Sequence, residues 1–265
     1  YQKVKLLATI TENIPQRDKI MESEIKLQTH AINLMHIMTG TLPQNAVDEI
    51  NKYIDGIVIK ENKDSSPNLV GQINRDKKSL QLDFDLKSPY GQNFKGMLDG
   101  CATSLLTEGY KRKAKADAFE CWTVHSYAGD YNPFHSHGTL TPAGLSCIIY
   151  LKVPDCIKEK PEVPTLTSAS GDCDGFTQLI WGTATTLDMY SLKNSGQEMI
   201  KPEVGKMLIF PKWLNHQVWP FFGEGERRTL SANFNVYYSK EESKKYGLDG
   251  FDYEEPKEEH TLNDN

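Results

Sequence analysis

The sequence predicts a mainly β protein, a sandwich or barrel, with helices gathered on its N-terminal side. Short runs rich in β-branched and aromatic residues follow one another from about Phe119: "FECWTVHSY", "LSCIIYLKV", "FTQLIWG", "KMLIF", "HQVWPF" and "RTLSANFNVYY". Clusters of Gly, Pro, Asn and Asp separate them, which is the spacing of strands joined by turns. Before Phe119 the apolar residues recur at helical intervals instead. The 265 residues, 38% hydrophobic and 25% charged, suffice to bury a substantial core.

In chain order, residues Tyr1 to about Gly40 read as a polar region with helical stretches. In "TLPQNAVDEINKYIDGIV", Thr41 is a candidate cap and Pro43 falls in the first turn. Val47, Ile50, Ile54 and Ile57 then recur at helical spacing. A further helix is expected over "SPYGQNFKGMLDGCATSLLTEGY", and "KENKDSSPN" between the two reads as an exposed loop. The basic run "YKRKAKAD" after Gly109 suits a helix end, where cations complement the macrodipole. After Tyr238 the chain holds nine acidic and four basic residues and reads as a mobile end. The expected organisation is a helix-rich flank (1–118) packing on a β core (119–238), then an acidic tail (239–265). No internal repeat is visible.

Composition narrows the function classes. No apolar run approaches the ~20 residues that cross a bilayer, and the N-terminus lacks a signal-peptide pattern. A formal charge of -6 without a basic face argues against binding a nucleic-acid duplex. The five cysteines (Cys101, Cys121, Cys147, Cys156, Cys173) are scattered and odd in number, with no C-x-x-C pair. They point to reduced thiols in a cytoplasmic compartment rather than to a disulfide framework or zinc ribbon.

The chemistry concentrates in "DYNPFHSHGTLTPAGLSCIIYLKVP", where two of only seven histidines, His135 and His137, sit two residues apart. On an extended segment such a pair faces one side, and both could point into a barrel. Imidazole suits divalent iron, with positions left open for a co-substrate and oxygen. The third ligand would be His216, in "FPKWLNHQVWPF". Taken alone, an H-x-H pair is more often a surface or hairpin feature, and His216 an ordinary strand-end residue. A basic strand downstream shifts the balance. Arg227 lies eleven residues after His216 and opens the alternation Arg227, Thr229, Ser231, Asn233. An arginine on a strand with a hydroxyl two residues later on the same face is a carboxylate receptor. A register shift of one would give that role to Arg228.

With these features the sequence resembles the 2-oxoglutarate/Fe(II)-dependent oxygenases, in particular phage and bacterial proteins related to prolyl 4-hydroxylases. Three stretches carry the resemblance, between Phe119 and about Tyr238: "YAGDYNPFHSHGTLTPAGLSCIIYL", "VGKMLIFPKWLNHQVWPF" and "ERRTLSANFN". The resemblance implies a double-stranded β-helix (a distorted jelly roll) with flanking helices. It implies His135 and His216 as iron ligands at the catalytic centre, and Arg227 as the anchor of the 2-oxoglutarate C5 carboxylate, assisted by Thr229. Tyr150 matches a tyrosine that hydrogen-bonds the same carboxylate, and Tyr127 a pocket-lining aromatic, for which ordinary packing is the other reading.

The sequence departs from the family at His137, where an Asp or Glu is usual. A third histidine there leaves iron's charge unreduced until the anionic co-substrate arrives. The outcome could be a working three-histidine site, a changed reaction, a weak site or a carboxylate from elsewhere. Asp130 is the nearest such carboxylate, although a turn role suits it better. The implied activity uses bound Fe(II) and consumes 2-oxoglutarate and O2, hydroxylating a peptide or small-molecule substrate and releasing succinate and carbon dioxide. Peptidyl proline is the default by analogy alone; an amino acid, a modified nucleotide or another metabolite stays open. By the same resemblance the protein would act in the cytoplasm of a bacterial or phage-infected cell. The competing reading is a cupin-like metal- or partner-binding module without oxygenase activity, which has no need of the Arg227 strand.

Overall fold

The computed structural model describes residues 2–8, 21–27, 35–68, 80–158, 173–182 and 196–253. The chain divides into two units, Tyr1–Met35 and His36–Asn265. The first contains an antiparallel pair, β1 (Gln2–Ala8) and β2 (Met21–Leu27), with Val4 opposite Ile25. This corrects the expectation of helical stretches there. Met21, Ser23, Ile25 and Leu27 alternate with Glu22, Glu24 and Lys26, a period of two that suits a strand and no helix.

The second unit opens with β3 (Met38–Thr41), followed by α1 (Gln44–Tyr53), a wide π turn (Ile54–Val58) and the short α2 (Ile59–Glu61). Pro43 is the residue at the helix start, and Thr41 ends β3 rather than capping the helix. Val47, Ile50 and Ile54 are buried as their spacing predicts. The π turn adds a residue to the repeat, so Val58 takes the next inward position and Ile57 is exposed. A 3-10 turn (Ser66–Asn68) leads toward β4 (Leu80–Asp83). Next comes α3 (Pro89–Ser104), whose Ser88 side chain accepts from Gly91 N with Pro89 at the first position.

The β core follows as β5 (Ala114–Ser126), β6 (Asn132–His135), β7 (Gly144–Lys152), β8 (Thr177–Ile180), β9 (Gln197–Ile200), β10 (Lys206–Pro211), β11 (Asn215–Val218) and β12 (Arg227–Ser239). A short α4 (Asp155–Lys158) leaves β7. The strands form two sheets. The larger runs β3-β10-β7-β12-β5-β4, and β13 (Asp252–Tyr253) pairs with the end of β12; the smaller runs β6-β11-β8-β9. Together they make the distorted jelly roll with flanking helices that the sequence implied. Gly205, at φ +86°, turns the chain into β10 and accepts from Leu42 N while donating to Tyr150 O. A side chain there would strike Leu42 O at 2.7 Å.

Alternation divides the large sheet into two faces. Leu230, Ala232, Phe234 and Val236 of β12 join Ala116, Ala118, Ile149 and Leu151 in a core closed by α1, its π turn and α3, through Val47, Ile50, Ile54, Phe94 and Leu98. Arg227, Thr229, Ser231 and Asn233 take the opposite face, toward the small sheet. The apolar face holds the fold together, and the polar face is left for a site.

The stretch after Tyr238 differs from the expected mobile end. Ser239 caps α5 (Lys240–Tyr246), with Glu241 and Glu242 in its first turn, Lys244 and Lys245 in its last, and Gly247 at φ +65° closing it. Lys113 N donates to Glu242, and Ser239 N to Lys113 O. A short helix held by its caps has too little apolar repeat to show in the sequence. Residues 254–265 of the expected tail lie outside the described residues. All five cysteines are free thiols. Among the described residues, no helix is long and apolar enough to cross a membrane.

Candidate metal and co-substrate site

The two sheets enclose a cavity of about 300 Å³ with His135, His137 and His216 in its lining. Register brings the first and last together, since His135 of β6 pairs directly with His216 of β11. His137 lies two residues beyond the end of β6, so its position rests on the loop and not on strand geometry. Its N–H donates to Lys212 O at 3.0 Å, and Lys212 Nζ holds the same loop through Thr139 Oγ1 and Thr141 O. Potential ligand atoms of the three histidines lie within 4.8 Å of one another.

Their hydrogen bonds prepare them to bind a cation. His135 Nδ1 contacts Pro133 O at 2.6 Å, and His216 Nδ1 contacts Leu214 O at 3.1 Å. A carbonyl only accepts, so each Nδ1 carries the proton and each Nε2 presents its lone pair. His137 Nε2 stands 3.2 Å from His216 Nε2. Two nitrogens ~2.1 Å from one ion at near-right angles would be about 3 Å apart, so the spacing suits a shared metal. Burial, and for His137 the neighbouring His135, pushes the His137 pKa down to about 4. Burial followed by both neighbours takes His216 to about 3. Burial also lowers His135, although the Pro133 carbonyl opposes it. Neutral imidazoles are the ligand form.

Asn233 and Glu120, which motif reasoning passed over as site residues, lie behind His137. Asn233 Nδ2 approaches His137 Nδ1 at 3.5 Å and donates to Glu120 Oε1, while its Oδ1 accepts from Ser146. Asn233 was visible in the alternation that begins at Arg227. Asp130 does not join the cluster; its carboxylate accepts from Tyr127 N at 2.7 Å in the turn after β5.

At the other end of the site Arg227 is 3% exposed, and its Nε has no hydrogen-bond partner. The guanidinium contacts Thr177 Oγ1 at 3.4 Å and lies 5.2 Å from the centre of the Tyr150 ring. Burial lowers its pKa, opposed by Tyr150. Among the described residues no carboxylate pairs with it. A buried, unpaired guanidinium costs much stability, and an anion offsets that cost. Thr229 stands beside it in the cavity lining. Tyr150 donates to Thr177 Oγ1 at 2.7 Å, so Thr177 joins the two sheets at this point. Nothing in "FTQLIWG" marked Thr177 in advance. Tyr127 is not among the cavity-lining residues, and the charges acting on it are those of Glu226, Arg228 and Asp130. Packing on that side is the reading that fits.

Residues 120–233 match the family described as "Putative 2OG-Fe(II) oxygenase". No curated protein sequence matches the chain. Among solved structures, the carbocyclase SnoK of nogalamycin biosynthesis, described as non-heme and alpha-ketoglutarate dependent, superposes with a TM-score of 0.50 at 11% identity, over 84% of this chain and 90% of that one. A prolyl-4-hydroxylase from Pseudomonas putida gives 0.47 at 13%, covering 76% and 92%. The viral collagen prolyl hydroxylase of Paramecium Bursaria Chlorella virus-1 gives 0.46 at 15%, covering 77% and 97%. The SnoK superposition shows a shared fold.

Proposed function

We propose that the chain, whose residues 120–233 match a 2-oxoglutarate/Fe(II) oxygenase family, is such an oxygenase, with His135, His137 and His216 holding the iron and Arg227 the co-substrate. The enzyme is a 2-oxoglutarate-dependent dioxygenase that uses Fe(II), 2-oxoglutarate and O2. In our reading the reaction converts R–H, 2-oxoglutarate and O2 to R–OH, succinate and carbon dioxide. The iron, when bound, supplies the redox chemistry.

The observation that carries this reading is the guanidinium of Arg227, buried without a carboxylate partner among the described residues and lining the same cavity as the histidine cluster. The C5 carboxylate of 2-oxoglutarate supplies the anion it lacks, with Thr229 beside it and Tyr150 and Thr177 at the back. Fixing that carboxylate directs the 2-oxo acid end toward the histidines and keeps the small co-substrate from tumbling. The carbonyls of Pro133 and Leu214 hold two imidazoles in the ligating tautomer. A cupin-like module without oxygenase activity gains nothing from a buried, unpaired arginine. The prime substrate is a peptide or small molecule, with peptidyl proline the default by resemblance. A cytoplasmic place of action in a bacterial or phage-infected cell rests on that resemblance too.

Anaerobic addition of Fe(II) and 2-oxoglutarate tests the proposal. A weak visible charge-transfer band, and succinate formed on admitting air, are expected. Absence of the band, with both components shown to be present, would overturn it.

A further inference from the structure

The cavity continues past the co-substrate residues to β4, along cross-strand rows set by register. Gln81 pairs with Val124, which pairs with Thr229; Asp83 pairs with Trp122, which pairs with Ser231. Strands lie about 4.8 Å apart, so Gln81 and Asp83 stand roughly 10 Å from β12 on the same face. Both line the cavity.

Gln81 is built as a receptor. It is 6% exposed, and its Nε2 donates to Ser65 O at 3.4 Å. That contact sets the amide's orientation, because turning it over would press two oxygens together. The remaining atom, Oε1, is buried with no hydrogen-bond partner. An unsatisfied buried acceptor costs stability, and a structural glutamine would have its acceptor filled. The charges nearby agree. Among the described residues Arg227 is the one Lys or Arg side chain lining the cavity, whereas Asp83 and Glu120 both line it. With Arg227 taken by the co-substrate, the Lys, Arg, Asp and Glu side chains left among the described lining residues are the two carboxylates.

We propose that the β4 end of the cavity is the prime-substrate subsite and that Gln81 Oε1 accepts a hydrogen bond from an amine or hydroxyl of the substrate. This rests on the oxygenase reading above and adds the substrate's chemical class. Asp83, exposed at the mouth, favours the amine in its protonated form. A bare prolyl ring inside a peptide, which has no N–H, leaves Gln81 unsatisfied. The substrate therefore carries a donor of its own beyond the carbon to be hydroxylated.

The test is a ligand-observed NMR screen of the protein with Ni(II) and 2-oxoglutarate present. The probes are small primary amines and alcohols, each beside its trimethylammonium or O-methyl counterpart, which has no donor. Donor-bearing probes should bind in preference to their counterparts. Gln81→Leu should weaken them about tenfold, the loss of one buried hydrogen bond, while Gln81→Glu keeps the amines. Gln81→Leu should also melt within a few degrees of the parent, since removing the unsatisfied acceptor offsets the lost bond to Ser65 O. Equal binding of the counterparts, binding indifferent to Gln81→Leu, no binding by any amine or alcohol, or a large fall in melting temperature would each overturn the subsite. A separate arm adds Fe(II) and 2-oxoglutarate anaerobically to the parent. No band there overturns the oxygenase reading itself, whereas a band together with Gln81-independent probe binding overturns only the subsite.

Discussion

Arg227 and Arg228 are adjacent in sequence and are buried on opposite faces of β12 with opposite electrostatic surroundings. Arg228 bonds Glu226, Asn51 Oδ1 and Asp55 Oδ1, tying the sheet to α1 and its π turn. Arg227 faces the cavity, and no carboxylate among the described residues pairs with it. One arginine is satisfied by the fold, and the other, in the proposed reading, is left for the co-substrate.

The two should therefore fail differently when removed. Arg227→Ala is expected to weaken 2-oxoglutarate by about 30-fold or more. A buried charge pair that loses one partner costs roughly 2–5 kcal/mol, and 1.4 kcal/mol is tenfold. Iron affinity should change much less. Arg228→Ala should lower the melting temperature and leave the co-substrate constant near that of the parent, because it takes a buried partner from Glu226, Asn51 and Asp55 on the face away from the cavity. Calorimetric titration of both variants checks this, and a reversed outcome would exchange the roles of the two arginines.

Glu226 connects that network to acid stability. Burial alone would raise its pKa, but hydrogen bonds from His125 and Arg228, with their charges, outweigh it and bring the value to about 2 from an ordinary 4.5. A carboxylate depressed by folding stabilises the protein fully above the unfolded value, and the contribution drains as pH falls toward the folded one. The melting-temperature gap between the parent and Glu226→Gln should thus be widest above 4.5 and close as pH approaches 2. A gap that stays constant across that window would show that Glu226 acts by packing alone.

The core strands were legible because each alternates and is bounded by turn residues, and the motifs at His135, His216 and Arg227 lie on or beside those strands. The sequence could not separate Arg227 from Arg228, since either register satisfies the pattern until Asn51 and Asp55 fix one face. Thr177 and Gln81 were invisible for another reason. Their roles come from pairings with strands distant in the chain, and a lone threonine or glutamine has no local signature. Ile57 was misassigned because one π turn shifts a helical phase that sequence spacing treats as constant.

The C-terminal segment offers a test of such capped, weakly patterned structure. Ending the chain after Tyr238 removes α5 and β13, along with the bonds from Lys113 N to Glu242 and from Ser239 N to Lys113 O. It also removes the Tyr246 ring that packs against Tyr238. Loss of a cap costs about 1 kcal/mol, and several bonds are lost with it. Thermal denaturation should record a fall of several degrees, in contrast to the dispensable tail that composition suggests. An unchanged melting temperature would restore that simpler view.

His137 stands where the resemblance leads one to expect an acidic residue. Removing His135 or His216 should strongly weaken Fe(II), since an open site has few protein ligands to lose. His137→Ala should do the same if its Nε2, 3.2 Å from that of His216, shares the ion. His137→Asp should keep the site, because carboxylate oxygen suits Fe(II) as imidazole does and offsets one positive charge. Asn233 Nδ2, now 3.5 Å from the His137 ring, is within reach to hydrogen-bond such a carboxylate. Anaerobic Fe(II) titration of the four variants measures these affinities, and anomalous scattering at the iron edge locates the ion. Iron bound to His135 and His216 alone, with His137→Ala binding as the parent does, would remove His137 from the ligand set and leave Arg227 in its role.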